Sequence, residues 1–242
     1  KKLKQIYTGG APVFPSDAEK IKNSFPLSRI EIIFGSTEAE PISSVNADEL
    51  IASESELKSN GLLVGKINKT ATVRIIKFTE SPVEEINAWG EIIVSGNHVV
   101  KNYLFNEEAF RENKITDGNI IWHRTGDAGR MDENGNLWLA GRCKQVFFAG
   151  EKMISPFIYE GILKNVKGII IGTVMQKNNK IIIVAEKEKN ADEISVRNEM
   201  EKENIIFDEI IFIRKIPKDP RHFSKIDYDK LKRMIDFQKS AQ

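Results

Sequence analysis

Five short stretches carry side chains suited to handling phosphate, sugar or a hard cation. Gly9-Gly10-Ala11-Pro12 has almost no side-chain bulk, so a ligand can approach its backbone closely. Gly35-Ser36-Thr37-Glu38 offers two hydroxyls to phosphate oxygens and a carboxylate to Mg²⁺, a hard cation that prefers oxygen. Thr125-Gly126-Asp127 puts a carboxylate on a tight turn, where it can accept hydrogen bonds from a ribose diol. Gly141-Arg142-Cys143-Lys144 leads with an arginine whose planar fork suits phosphate or sugar oxygens. Pro217 to Asp227 sets Lys225 in a loop stiffened by Pro217 and Pro220.

Each stretch also has an ordinary structural reading. The glycines suit a strand-to-helix turn. Ser36 or Thr37 suits a helix N-cap with Glu38 in the first turn. Thr125 to Asp127 suits an Asx-type turn. Arg142 and Lys225 suit solvated basic loops. Cys143 reads as an inert small residue. His98, His123 and His222 lack a metal-ligand spacing.

The elements that must position these residues follow from periodicity and punctuation. Ile6–Thr8 reads as a strand end. A helix capped by Ser16 or Asp17 runs to about Phe25. A second strand, Ile30–Phe34, leads into Gly35. That is an α/β unit with its polar loops on one sheet edge. From Gly61 the texture changes to short strands at Leu63-Val64, Thr72–Phe78, Glu91–Ser95 and Val99–Tyr103. They predict a β-rich unit resembling a distorted barrel. A short helix is expected at Glu107–Arg111 and a strand at Ile120–His123. Asn134-Gly135 marks a hairpin, with Leu137–Ala140 as its return strand. Beyond Gly141, a strand at Gln145–Phe148 and a helix at Phe157–Asn165 come first. A hairpin through Lys177-Asn178-Asn179 follows, joining Gly168–Gln176 to Lys180–Lys187. A helix at Asp192–Glu203, a strand at Glu209–Arg214 and a helix at Tyr228–Phe237 complete an α+β unit.

The totals set bounds. Lys+Arg 36 against Asp+Glu 35 leaves a formal charge of +1 over 242 residues, so no global field draws nucleic acid or an anionic membrane. One cysteine excludes an internal disulfide and suits a reducing compartment, hence a cytoplasmic setting. No run approaches the ~20 apolar residues of a transmembrane helix. The chain starts at Lys1, as though inside a strand of a longer parent.

In order and spacing, the five stretches resemble the adenylate-forming superfamily of acyl-CoA synthetases, nonribosomal peptide synthetase adenylation domains and firefly luciferase. Gly9–Pro12 resembles the family's adenine-pocket loop. Phe34-Gly35-Ser36-Thr37-Glu38 resembles its aromatic-Gly-x-Thr-Glu motif. Arg124–Asp127 resembles its Thr-Gly-Asp motif. Gly141–Lys144, with Gly150 and Pro156–Glu160, resembles its hinge region, and Pro217–Asp227 the loop of its catalytic lysine. Phe34–Pro41, Trp122–Asp127 and Asp219–Ile226 resemble a fatty-acyl branch that includes the β-lactone synthetase of olefin biosynthesis. The sequence departs from the pattern with Phe34 for the commoner Tyr, Ile158 for a Glu and Ser224 for a Gly.

The resemblance implies a fold: the C-terminal part of a large α/β domain over 1–141, split into 1–55 and a β-barrel-like 56–141. A small mobile α+β domain over 142–242 follows. It implies a function: ATP-dependent, AMP-forming activation of a fatty or other carboxylic acid, with transfer to CoA or a carrier-protein thiol. ATP/AMP, Mg²⁺ and CoA are the expected cofactors. Phe34 would stack on adenine beside the Gly10-Ala11 backbone. Thr37 would bond phosphate, Glu38 hold Mg²⁺, and Asp127 accept ribose hydroxyls with help from Arg142. Lys144 would be the hinge, Gly150 the thiol-tunnel face, and Lys225 the catalytic cation. The family's phosphate loop lies upstream of the adenine-pocket loop, so the chain alone would be inactive. Closure of a β-lactone, or non-catalytic binding of a nucleotide or carrier protein, are the competing functions.

Overall fold

The computed structural model describes residues 3–78, 85–220 and 225–238. The chain divides into two compact units, Lys1–Val146 and Phe147–Gln242.

The first unit is built on a nine-stranded sheet ordered β1-β2-β3-β4-β9-β8-β6-β5, with β7 paired to β8. Strand β1 (Gln5–Gly9) and strand β2 (Arg29–Ser36) run parallel, joined by helix α1 (Pro15–Ser24). Helix α1 starts earlier than the expected Ser16 or Asp17 cap. Proline at the first helical position forfeits no hydrogen bond there, and Asp17, two residues in, accepts the Phe14 N–H at 3.2 Å. Strand β3 (Ala39–Asn46) turns straight back against β2. Asn46 then caps α2 (Ala47–Ala52), and a tight 3₁₀ turn leads into α3 (Leu57–Asn60).

Strand β4 (Leu62–Ile67) pairs with β3 through Ser43 and Ser44, so the sheet continues unbroken from the α/β part into the β-rich part. Strands β5 (Ala71–Ile76) and β6 (Gly90–Gly96) follow, then helix α4 (Glu107–Asn113) and strand β7 (Lys114–Asp117). Strand β8 (Ile120–Met131) is a 12-residue strand, and β9 (Asn136–Arg142) returns beside it. The barrel expectation needs correcting. Strand β5 pairs with β6 alone among the described strands, so the sheet stays open. The expected strand at Val99–Tyr103 is irregular chain, because its hydrogen bonds go to the Glu38 turn and to side chains instead of a ladder.

The second unit begins with the hairpin β10 (Phe147–Ala149) and β11 (Lys152–Ile154), which replaces the single strand expected at Gln145–Phe148. Ser155 caps α5 (Pro156–Leu163). Strands β12 (Ile169–Lys177) and β13 (Lys180–Lys187) form the expected hairpin. Asn178 and Asn179 both take positive φ, 50° and 59°, as a two-residue turn with the strands' own twist requires. Helix α6 (Glu193–Lys202), strand β14 (Glu209–Phe212) and helix α7 (Tyr228–Gln238) complete the unit. Ile181, Ile183 and Ala185 of β13 pack with α5 and α6, and Ile182 and Val184 pack with Leu231 and Ile235 of α7. A strand covered on both faces reads as a continuous apolar run, and Ile181–Ala185 is one. Among the described residues no helix is long and apolar enough to cross a membrane.

Candidate functional site

Strands β1 and β2 bring two of the five stretches together. Their parallel register pairs Gly9 with Ile33, so Gly10 and Phe34 lie one residue on, at the same carboxyl edge. A β-carbon on Gly9 would meet the Ile33 carbonyl oxygen at 2.4 Å, so Gly9 is glycine to let the strands pair. Gly10 differs. Its φ is +77° and nothing lies within 4 Å of where a β-carbon would point. It opens onto space, as the backbone wall of a ligand pocket must.

Thr37 and Glu38 form the two-residue turn of the β2–β3 hairpin, with Ser36 paired to Ala39. The helix N-cap alternative for this stretch is therefore wrong. Gly35 permits the turn, since a β-carbon there would meet the Ala39 carbonyl at 2.8 Å. Thr37 is exposed and Glu38 partly so.

The Glu38 carboxylate has neighbours that sequence reasoning did not single out. Tyr103 donates its hydroxyl to Oε1 at 3.3 Å. His123 Nε2 lies 4.0 Å from Oε2 and 3.4 Å from Ser36 Oγ. The other ring nitrogen, Nδ1, faces the Asn113 carbonyl at 3.2 Å, and a carbonyl can only accept. Nδ1 therefore carries the proton and Nε2 presents a lone pair to Ser36. Burial, reinforced by Lys114, pushes the His123 pKa down against the pull of Glu38, so the ring is neutral at pH 7. Lys114 is itself only 5% exposed; burial lowers its pKa while Glu38 opposes this. The Tyr103 phenol is pushed up to about 12 by burial and by Glu38, so it remains a donor. His123 sits inside the Trp122–Asp127 motif, which is the one signal that could have found it. Tyr103 and Lys114 carry no local signal.

Thr125-Gly126-Asp127 does not form the expected turn. The three residues lie within β8, opposite the single Ile92 of β6, because the register passes from Glu91↔Ala128 to Ile93↔Arg124. Gly126, at φ +68°, allows this bulge. Thr125 Oγ1 donates to the Ile92 carbonyl at 2.8 Å, which anchors the bulge. The bulge aims Asp127 at its cross-strand partner Arg142, whose Nη1 donates to Oδ1 and to the Thr125 carbonyl, both at 2.9 Å. Arg142 is half exposed while the Asp127 side chain is 14% exposed. Arg142 thus ties the Asp127 carboxylate to the Thr125 backbone through a single guanidinium nitrogen. Beneath the bulge, Arg124 clamps the buried Glu91 with Nη2–Oε2 at 2.6 Å.

One strand ties the two halves of this geometry together. His123 touches the Ser36–Glu38 turn, and Asp127 lies four residues further along β8. His123 stands before the bulge and Asp127 within it, so one strand carries both. Residues 1–104 match the AMP-binding enzyme family. The stretches Gly9–Pro12 and Phe34–Glu38 lie within that match.

The chain is 29% identical over 161 residues to luciferin 4-monooxygenase of Photuris pensylvanica, covering 66% of this chain and 28% of that protein. It is 22% identical over 225 residues to 4-coumarate–CoA ligase 3 of Arabidopsis thaliana, covering 89% of this chain and 39% of that protein. Its fold is similar to that of Bacillus subtilis O-succinylbenzoate coenzyme A synthetase solved with ATP and magnesium, at TM-score 0.74 and 20% identity, over 95% of this chain and 46% of that one. It is similar too to the amide bond synthetase McbA of Marinactinospora thermotolerans, at TM-score 0.75 and 21% identity, over 96% of this chain and 47% of that one. The chain thus spans less than half the length of these relatives.

The remaining residues singled out from the sequence lie near or beyond the unit boundary. Lys144 is exposed in a turn two residues before that boundary. Cys143 donates its backbone N–H to Gly126 at 2.9 Å, and burial pushes its thiol up to about 12, so it stays an unreactive thiol. In the second unit, Gly150 occupies the β10–β11 turn with φ +63° and open space around it. Lys225 follows residues 221–224, so His222 and Ser224 lie outside the described residues.

Among the described residues no group of three or more His, Cys, Asp or Glu could hold a metal ion. Mg²⁺ does not need one. It is commonly held by one or two carboxylates together with phosphate oxygens and water. The oxygen donors at Ser36, Thr37 and Glu38 fit that chemistry.

Proposed function

We propose that this chain is part of an ATP-dependent, AMP-forming ligase that activates a carboxylic acid as its acyl-adenylate and passes the acyl group to a thiol. The observation that carries the proposal is the Asp127–Arg142 clamp on the same strand as the residue bordering Glu38. The glycine-lined edge at Gly9–Pro12 and the ring of Phe34 would supply the contacts to the adenine. In this reading Asp127 accepts the ribose hydroxyls and Arg142 holds it in place. Phe34 stacks on adenine against Gly10 and Ala11. Thr37 donates to a phosphate oxygen.

Glu38 would hold Mg²⁺, which when bound offsets the negative charge gathered between the nucleotide phosphates. The protein's own part is positioning and charge. Tyr103 fixes one oxygen of Glu38 and leaves the other available. Neutral His123 orients Ser36 without competing as a cation. Lys225 places an ammonium against the acid's carboxylate and the α-phosphate as the two react, which lowers the charge repulsion that opposes attack. Pyrophosphate leaves, and the carboxylate oxygen is bonded to the α-phosphorus. A thiolate then attacks the acyl carbon and expels AMP. Lys144 is the pivot between these steps, and Gly150 lines the thiol's approach.

The acid is proposed to be a fatty acid, on the likeness of Phe34–Pro41 and Asp219–Ile226 to the fatty-acyl branch, and the thiol to be CoA, in keeping with the CoA ligases among the relatives. The test is pyrophosphate release by the intact protein with ATP and a panel of medium- and long-chain fatty acids. Lys225→Ala is expected to cost ~2–4 kcal/mol of transition-state stabilisation. Undiminished adenylation in that variant would remove Lys225 from the mechanism. The residues 1–242 alone are expected to bind AMP weakly. A Kd below about a micromolar, or ~−8 kcal/mol, would favour a self-contained nucleotide-binding module instead.

A further inference from the structure

The loop that carries Lys225 is closed at its base by backbone bonds. Lys218 bridges Ile226, the Asp219 N–H donates to the Lys225 carbonyl at 2.9 Å, and the Asp227 N–H donates to the Pro217 carbonyl at 3.0 Å. The incoming end is fixed at Ile216, which is buried and donates its N–H to Glu186 Oε2 at 2.9 Å. The outgoing end enters α7 at Tyr228, three residues after Lys225.

Tyr228 is not held by backbone alone. Its hydroxyl meets Glu160 Oε1 of α5 and lies 2.5 Å from Thr173 Oγ1 of β12. Thr173 Oγ1 reaches the same Oε1 at 3.0 Å. Three oxygens from three elements thus form a triangle with a contact along each side. Two of the contacts run from the Thr173 and Tyr228 hydroxyls to Glu160 Oε1, and the third joins the two hydroxyls.

Burial favours the protonated carboxyl of Glu160. The groups that act on Glu160 are Tyr228 of α7, Thr173 of β12 and Lys164 at the end of α5, with burial outweighing all three. Each of Glu160 and Tyr228 keeps some exposed surface as a residue, while Thr173 is fully buried. The triangle therefore joins the foot of the Lys225 loop to the interior of the second unit.

We propose that Tyr228, held by Glu160 and Thr173, is a positioning residue for Lys225: the triangle fixes the start of α7, and through it the backbone path that presents the lysine. The proposal rests on the assignment of Lys225 to adenylation. It also makes a claim about the loop that stands without that assignment.

Both parts are testable in the intact protein. Tyr228→Phe removes the hydroxyl and keeps the ring. Hydrogen exchange at the Asp219 and Asp227 amides is expected to quicken roughly tenfold in this variant, while the central β13 amides, Ile182–Ala185, keep their protection. ATP–pyrophosphate exchange with the fatty-acid panel is expected to lose between about ten- and a hundredfold in kcat, with KM for ATP unchanged. A merely structural role would loosen β13 as well and would not separate kcat from KM. If Tyr228→Phe does not fold, Thr173→Val opens the triangle from β12 and carries the same expectations. Unchanged exchange at Asp219 and Asp227 overturns the proposal whatever the activity. So does a wild-type kcat in Tyr228→Phe beside an inactive Lys225→Ala. A fully active Lys225→Ala instead overturns the role of the lysine, and leaves the loop's anchoring to be judged by the amides.

Discussion

Replacing Glu160 by Gln should remove most of the dependence of the second unit's stability on pH between 4.5 and 7. Burial raises the Glu160 carboxyl from its ordinary 4.5 to about 7, against the opposing pull of Tyr228, Thr173 and Lys164. For an acid raised in this way, the folded state keeps a proton that the unfolded chain releases. Its contribution to stability is fully present below about 4.5 and is lost as pH rises through about 7. At 1.36 kcal/mol per pH unit the loss is at most about 3 kcal/mol. Glu160 is partly exposed as a residue, and solvent screening reduces the figure to about 2 kcal/mol. The Gln side chain is neutral throughout and can close the Thr173–Tyr228 triangle with an amide hydrogen.

The assay is hydrogen exchange at Ile182–Ala185 of β13, in the middle of the three-stranded sheet, corrected for intrinsic rates. Tryptophan fluorescence is no use here, since Trp89, Trp122 and Trp138 all belong to the first unit. Taking wild type minus variant at each pH cancels the other carboxylates. The difference should fall by about 2 kcal/mol from pH 4.5 to 7 and then level off. A flat difference, or one that rises with pH, would refute the reasoning.

Three further outcomes are expected. Gly126→Ala strains a φ of +68° and sets a β-carbon 2.8 Å from Arg142 Nη2, so it should cost about 1–2 kcal/mol of stability and loosen the Asp127 clamp, seen as weaker binding of an acyl-adenylate analogue by calorimetry. Glu91→Ala leaves Arg124 without the carboxylate it clamps under the bulge, and a loss of about 3 kcal/mol should appear in denaturant unfolding followed by tryptophan fluorescence. Asp132 accepts bonds from Asn134, Asn136 and the Trp138 indole, and these outweigh burial to hold its pKa below 3.8. Its share of the hairpin's stability should therefore be present above that value and fade as pH falls below it, with Asp132→Ala flat over the same acid range by the same fluorescence.

Much of the backbone plan was legible because short-range chemistry decides it. Asn134-Gly135 turned the chain where expected, and Pro156 marked the start of a helix. Asn178-Asn179 supplied the left-handed residues of a two-residue turn. The misreadings came where one residue type serves two geometries. Ser36-Thr37-Glu38 has the composition of an N-cap, yet it turns a hairpin, because Ala39–Asn46 has a ladder waiting on β2. Thr125-Gly126-Asp127 looks like a turn, yet it is a bulge in a strand that pairs on both sides. Helix α2 went unread because its six residues carry too little periodicity to stand out.

The candidate site divides along the same line. Residue types and their order, from Gly9–Pro12 to Lys225, carried the chemistry and its likeness to a nucleotide-dependent family, because side-chain chemistry is local to the residue. Only the tertiary structure decided the company those residues keep. It paired Asp127 with Arg142 across 15 positions of chain and surrounded Glu38 with Tyr103 and His123. It also closed Glu160, Thr173 and Tyr228 into a triangle at the foot of the Lys225 loop. Such pairings depend on sheet register and on which faces are buried together, and these are set by the summed packing of the unit and not by any one stretch.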